Sequence, residues 1–293
     1  MRRFLDLFQR TFTYEILRTF VELLVLVLPY FIAGVLLLAL LLRFRPEPQR
    51  LALLKRGGLP AAALAALLGA ISPFGTYIIA PLGALLIRLG FSAPAVFAFL
   101  VASPLINPNL FILTAGVLGL PLALARTASA WLLGTAAGLL ASRWPPVAAA
   151  ASDSVPGFEP DRGYLSRVWA HTRYMGRFFL LALLISAAVR VLVPARWISA
   201  ALGADATLSL LIAVALGVPF YSCGGAAVPL IRVLVDMGMA PGPVLAFFIA
   251  GPATKLSTLV IYKGALGWRA LALFLTVTLF GALLLGMLYG GIM

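Results

Sequence analysis

Two stretches in the first half of the chain, residues 59–89 and 92–119, stay apolar for longer than one straight crossing of a bilayer needs, and each carries prolines near its middle. As an unbroken helix the first would extend roughly 46 Å, against about 30 Å of hydrocarbon. It must tilt strongly or break, and Ser72-Pro73-Phe74-Gly75-Thr76 stands where the break is needed. The second is interrupted by Ser103-Pro104-Leu105-Ile106-Asn107-Pro108-Asn109. The later runs 206–237 and 240–264 are interrupted in the same way, by Pro219-Phe220-Tyr221-Ser222-Cys223-Gly224-Gly225 and by Gly251-Pro252-Ala253-Thr254-Lys255. The breaks are therefore assigned to Pro73 and Gly75, Pro104 and Pro108, Pro219 with Gly224 and Gly225, and Pro252.

These interruptions recur in register. Pro73-Phe74 matches Pro219-Phe220, and Ala80-Pro81-Leu82 matches Val228-Pro229-Leu230 after a two-residue insertion. From there the offset holds at 148 residues, pairing Gly90 with Gly238, Phe99 with Phe247, Pro104 with Pro252, Gly116 with Gly264 and Gly119 with Gly267. The pattern predicts two homologous halves, a common build of secondary transporters. Breaking a helix inside lipid strands backbone N–H and C=O groups unless protein or water satisfies them. Matched breaks thus predict a protein- or water-lined centre, toward which each restarting helix points its N-terminal amides. The structural alternative is that the prolines only kink packed helices, as Pro29 would.

The composition excludes most other classes. At 63% hydrophobic and 11% charged residues, with a mean hydropathy of +1.08, the chain lies outside the range of water-soluble enzymes, disordered chains and disulfide scaffolds. A single cysteine, Cys223, and a single histidine, His171, leave no internal disulfide and disfavour a metal cluster or a His-dependent triad. No carboxylate dyad, nucleotide-binding loop or zinc-hydrolase motif is present, so we expect no enzyme, no metal and no cofactor; pumping would draw on an ion gradient or a partner ATPase. The net charge of +13 sits at the edges of the apolar runs, in Arg2, Arg3, Arg10 and Arg18, then Arg43, Arg45, Arg50, Lys55 and Arg56, then Arg162, Arg167, Arg173 and Arg177. That distribution suits anionic headgroups rather than nucleic acid.

The expected organisation is an all-α polytopic membrane protein. Residues 1–18, with Phe4, Phe8, Phe12 and Ile16 at i+4 spacing, read as an interfacial amphipathic helix rather than a cleavable signal, or as the first turns of a longer helix. Residues 19–142 form the first transmembrane repeat, with plain spans at 19–42 and 120–142. The Pro-containing polar stretch 143–175 reads as an extramembrane linker, and 176–293 form the second repeat. If each interrupted run crosses once there are about eight spans and parallel halves; if one run per half crosses twice there are ten and the halves are inverted. The positive-inside count does not choose, because both 43–56 and 143–177 are basic.

Candidate solute contacts cluster at the breaks. Thr76, Tyr77, Tyr221, Ser222 and Cys223 would line one pair, and Asn107, Asn109, Thr254 and Lys255 the other. Asn107 and Asn109 are the only asparagines in the chain. Asn107 before Pro108 suits an N-cap followed by proline at the first helical position, while the amide of Asn109 is costly in lipid without a partner. The repeat sets Lys255 opposite Asn107. A cation among apolar turns lines an aqueous path, contacts an anionic solute, alternates with a coupling proton, snorkels, or pairs with an acid such as Asp236 or Glu22. Arg232 and Asp236, one turn apart, read as an interfacial pair. Cys223 is either a small inert hydrophobe or a thiol facing the solute.

At Pro219-Phe220-Tyr221-Ser222-Cys223, Val228-Pro229-Leu230, Gly238 with Pro241, and Ala250-Gly251-Pro252 the chain resembles a predicted-permease family that includes organoarsenical efflux permeases. The resemblance covers nearly the whole length. It implies a multi-pass permease of the inner membrane exporting a small solute, in some members a trivalent organoarsenical. Family members often carry a paired Cys-Ser-Cys. Here Tyr221 replaces the first of those cysteines, and the first half, with Gly75-Thr76-Tyr77, has no thiol. The reading is thus a secondary transporter moving an organoarsenical or an oxyanion outward, with membrane lipids as surroundings and the oligomeric state open. The rivals are a channel-like pore for a small anion or neutral solute, and a membrane assembly component that transports nothing.

Overall fold

The structure, a computed structural model, describes residues 12–41, 52–72, 83, 86–87, 90–142, 180, 183–203, 207–220 and 224–293. Among these residues every regular element is helical. In chain order they are α1 (Phe12–Leu41), α2 (Ala52–Arg56), α3 (Gly58–Ile71), α4 (Ala93–Leu105), α5 (Pro108–Leu118), α6 (Leu120–Ser142), α7 (Leu183–Leu192), α8 (Ala195–Leu202), α9 (Thr207–Phe220), α10 (Gly224–Asp236), α11 (Pro241–Thr254) and α12 (Leu256–Ile292). Residues 1–11 and the linker 143–175 lie outside the described residues. From Phe12 the helix runs without interruption to Leu41, with Pro29 inside it.

Among the described residues two segments, Ala93–Leu118 and Leu266–Ile292, are long and apolar enough to cross a membrane. Leu183–Leu192 and Ala195–Leu202 qualify only as a pair, bent by 100° at Pro194. The shorter apolar helices, among them Gly58–Ile71 and Pro241–Thr254, pack around these. Apolar side chains cover much of the outer surface: Leu124, Trp131 and Leu139 of α6, and Trp268, Phe280 and Leu288 of α12 are exposed. The opposite faces of the same helices are buried, as expected for helices with lipid on one side and protein on the other.

Several local devices occur twice at the 148-residue offset. Gly90 and Gly238 sit in left-handed conformation at φ 82° and 102°. Each closes a helix end with two backbone bonds, Gly90 N–H to Ile87 O and Phe91 N–H to Leu86 O, then Gly238 N–H to Val235 O and Met239 N–H to Leu234 O. The next amide in each case reaches a preceding short helix: Ser92 N–H donates to Leu54 O at 3.1 Å, and Ala240 N–H to Leu202 O at 2.8 Å. Further on, Gly119 and Gly267 both have positive φ, 100° and 82°, and mark the joint between α5 and α6 and a kink inside α12.

The tightest packing follows small residues, because helices that share a lipid environment gain most from close backbone approach. On α6, Gly134 and Gly138 lie against α3 and α4. A Cβ at Gly134 would stand 2.8 Å from Ala98 O and 3.0 Å from the Ala66 methyl, and one at Gly138 would overlap Pro94 O. On α12, Gly286 meets Ala246 and Gly242 of α11 in the corresponding way. Gly138→Ala should therefore destabilise the detergent-solubilised protein by about 1–3 kcal/mol through overpacking, read as a lower melting temperature. Gly291→Ala, where nothing lies within 4 Å, should leave it unchanged or slightly raised.

Candidate functional site

The second pair of breaks falls within the described residues, and its geometry follows from what proline removes. Pro104 and Pro252 both lie inside the last turn of their helices, and the breaks come just after them. Ile106 (φ −147°, ψ 151°) and Asn107 (φ −150°, ψ 169°) are extended between α4 and α5, and Lys255 (φ −58°, ψ 127°) alone separates α11 from α12. Asn107 caps the new helix, its side chain accepting from Leu110 N at 2.9 Å, with Pro108 in the first helical position. Here the expected cap is what forms.

Three of the carbonyls left over are answered by side chains from elsewhere. Pro104 has no N–H for Leu100 O, and the Tyr262 hydroxyl donates to that oxygen at 2.6 Å from the other half of the chain. The break strands Leu105 O, which accepts from Arg126 Nε at 3.1 Å. Val117 O, in the last turn of α5 and four residues before Pro121, accepts from Arg232 Nη1 at 3.1 Å. Arg126 is fully buried. Its Nη1 donates to Thr114 Oγ1 at 3.1 Å, and its guanidinium carbon lies 4.2 Å from the ring centroid of Phe248 on α11. Arg126 thus holds both sides of the α4–α5 break and touches the second half.

These bonds set the direction of the two broken segments. Leu100 of the first meets Tyr262 of the second, and Thr114 of the first meets Phe248 through the guanidinium of Arg126. Ascending the first segment descends the second, so 93–118 and 241–266 run antiparallel. The Asn107 and Lys255 breaks each lie between a residue of the Leu100–Tyr262 bond and one of the Arg126-mediated contact.

Of the residues singled out from sequence, Asn107, Thr254 and Lys255 are half-buried at these breaks, and Asn109 is buried one residue into α5. The Thr254 hydroxyl turns back to Ala250 O at 3.0 Å. Two acids named as partners for Lys255 are engaged locally: Glu22 by Arg18 at 3.1 Å and Asp236 by Arg232 at 3.2 Å, the latter in the interfacial pair expected of it. Pro219 lies in the last turn of α9, and Gly224 and Gly225 open α10. Pro73, Gly75, Thr76, Tyr77, Tyr221, Ser222 and Cys223 lie outside the described residues. Sequence reading missed Arg126, Thr114 and Tyr262. The signal for Arg126 was present, an arginine inside a run otherwise read as a plain span; for Tyr262 the only cue was its position on the second broken segment.

The chain matches a family described as "Predicted permease", ArsP_1, over residues 13–291. A UPF0718 protein of Methanocaldococcus jannaschii is similar to it, 27% identical over 88 residues, which is 30% of this chain and 24% of that protein. The matched stretch thus spans about a quarter of the curated relative's length. No solved structure matches the chain.

Tyr262→Phe removes one hydroxyl and leaves Leu100 O without its donor. The substitution should lower thermal stability by about 1–3 kcal/mol, the cost of an unsatisfied buried acceptor. Tyr289→Phe, at a half-buried position near the end of α12, should shift the melting temperature by far less in the same detergent.

Proposed function

The chain belongs to the ArsP_1 predicted-permease family, and from that premise we propose that it is a secondary transporter with its solute site at Asn107 and Lys255. The observation that carries the reading is that two discontinuous segments, 93–118 and 241–266, contact each other on either side of their breaks, at Leu100–Tyr262 and through Arg126 at Phe248. Discontinuous helices put amide and carbonyl ends at mid-membrane, where a polar solute finds donors and acceptors that a continuous helix keeps for itself. The antiparallel run, with the devices repeated at 148 residues, supports duplicated halves of inverted topology. Alternating access then follows from rocking one half against the other.

Arg126, Tyr262 and Phe248 are buried at the junction of the halves, which favours an occluding transporter over a standing pore. On this reading the solute leaves the cell across the inner membrane. A trivalent organoarsenical would engage the one thiol, Cys223, and an oxyanion would engage amides and hydroxyls at the breaks. Neither needs a bound metal or cofactor.

Asn107→Ala and Lys255→Ala should each abolish flux while the protein still inserts and folds. The measurement is uptake or resistance in a host lacking its own exporters, screened with methylarsenite, arsenate and phosphate, alongside the amount of monodisperse protein recovered. Full flux in both variants would remove these residues from the mechanism.

A further inference from the structure

Two buried hydroxyls near the breaks do nothing within the described fold. Ser103, in the last turn of α4, is 1% exposed, and Thr258, in the first turn of α12, is 0% exposed. Neither oxygen has a hydrogen-bond partner among the described residues. Other hydroxyls in the spans behave differently: Thr114, Ser129, Thr135 and Thr278 each donate to a carbonyl one turn back. An orphaned hydroxyl in an apolar interior is costly, so a pair at one place calls for a reason.

Their placement supplies it. Thr258 lies one turn from Tyr262, on the face that α12 turns toward the first half. Ser103 lies one turn from Leu100, whose carbonyl Tyr262 reaches. Each hydroxyl thus lies one turn from the Tyr262–Leu100 bond, on the side toward its own break. The restarting helices also differ there. Asn107 caps α5, whereas α12 starts at Lys255 with no side-chain cap, so the first amides of Leu256, Ser257 and Thr258 have no intrahelical acceptor. On the opposite side, the carbonyl end of α4 at Leu105 is already taken by Arg126.

We infer that Ser103 and Thr258, with the N-terminal amides of α12 and the charge of Lys255, form a subsite for a small oxyanion. This rests on the permease reading and narrows its solute. Every group in the set donates hydrogen bonds or carries positive charge, and the helix dipole favours negative charge at that end. A tetrahedral oxyanion offers enough acceptors to take both hydroxyls and the amides at once. Both oxygens are sealed from solvent in this arrangement, so the solute reaches them when the halves part.

The test uses the full-length protein in lipid nanodiscs, titrated separately with sulfate, phosphate and arsenate at constant ionic strength, for wild type, Ser103→Ala and Thr258→Val. At least one anion should raise the wild-type melting temperature saturably, and each substitution should weaken that anion's binding about tenfold or more, as expected for losing a hydrogen bond to a charged group. Thr258→Val should at the same time raise the melting temperature without anion, because it removes an unsatisfied buried hydroxyl. The inference is overturned if none of the three anions binds the wild type, if binding is unchanged in both variants, or if Thr258→Val lowers the anion-free melting temperature. Methylarsenite flux in wild-type proteoliposomes separates the two levels. Flux without anion binding sinks the subsite alone, whereas loss of flux for all four solutes sinks the permease reading with it.

Discussion

In hydrocarbon a backbone carbonyl that loses its helical partner has no water to turn to, and this constraint organises the molecule. Pro104 deprives Leu100, the extended pair Ile106–Asn107 deprives Leu105, and the end of α5 strands Val117. The donors that replace the missing amides are Tyr262, Arg126 and Arg232. Two of them come from the other half of the chain and the third from α6. Satisfying the breaks and joining the halves are therefore the same set of bonds. An interruption that would be a defect in an isolated helix becomes the point at which the helices hold one another.

That coupling has a consequence for transport. If the halves move, the bonds at Leu100, the Arg126–Phe248 stack and the Arg232–Val117 bond cannot all survive unchanged, because each spans the interface that would shift. A secondary transporter needs alternative arrangements of similar energy. Exchangeable side-chain donors on fixed carbonyls offer them more readily than interlocked apolar packing does. Within each half the opposite holds: Gly134 and Gly138 bring α6 against α3 and α4 at backbone distance, and Gly286 brings α12 close to α11, packing that leaves little room for sliding.

The site was legible from sequence to the extent that it is written in local chemistry. Asn107 before Pro108 announces a cap, and a cap is what forms, because a short side chain reaching its own third amide needs nothing from the rest of the fold. Pro252 among apolar turns announces the second break for a similar reason, since the missing amide belongs to that one residue. Arg126 was harder. An arginine six residues into α6 reads equally well as one snorkelling toward headgroups, and only the position of Leu105 O, on another helix, makes it a buried bridge. Ser103 and Thr258 carried no signal at all, since serine and threonine in membrane helices ordinarily bond their own backbone and only their surroundings reveal that these two do not.

Composition, hydropathy and the placement of proline by themselves determined that this chain is a helical membrane protein with interrupted segments. Those properties depend on transfer free energy and on the missing amide of proline, both of which belong to single residues. Tertiary structure decided that the two broken segments run in opposite directions and which side chains take up the freed carbonyls. Direction depends on contacts between residues more than a hundred positions apart, such as Tyr262 with Leu100, and no spacing along the chain encodes which way one helix passes another.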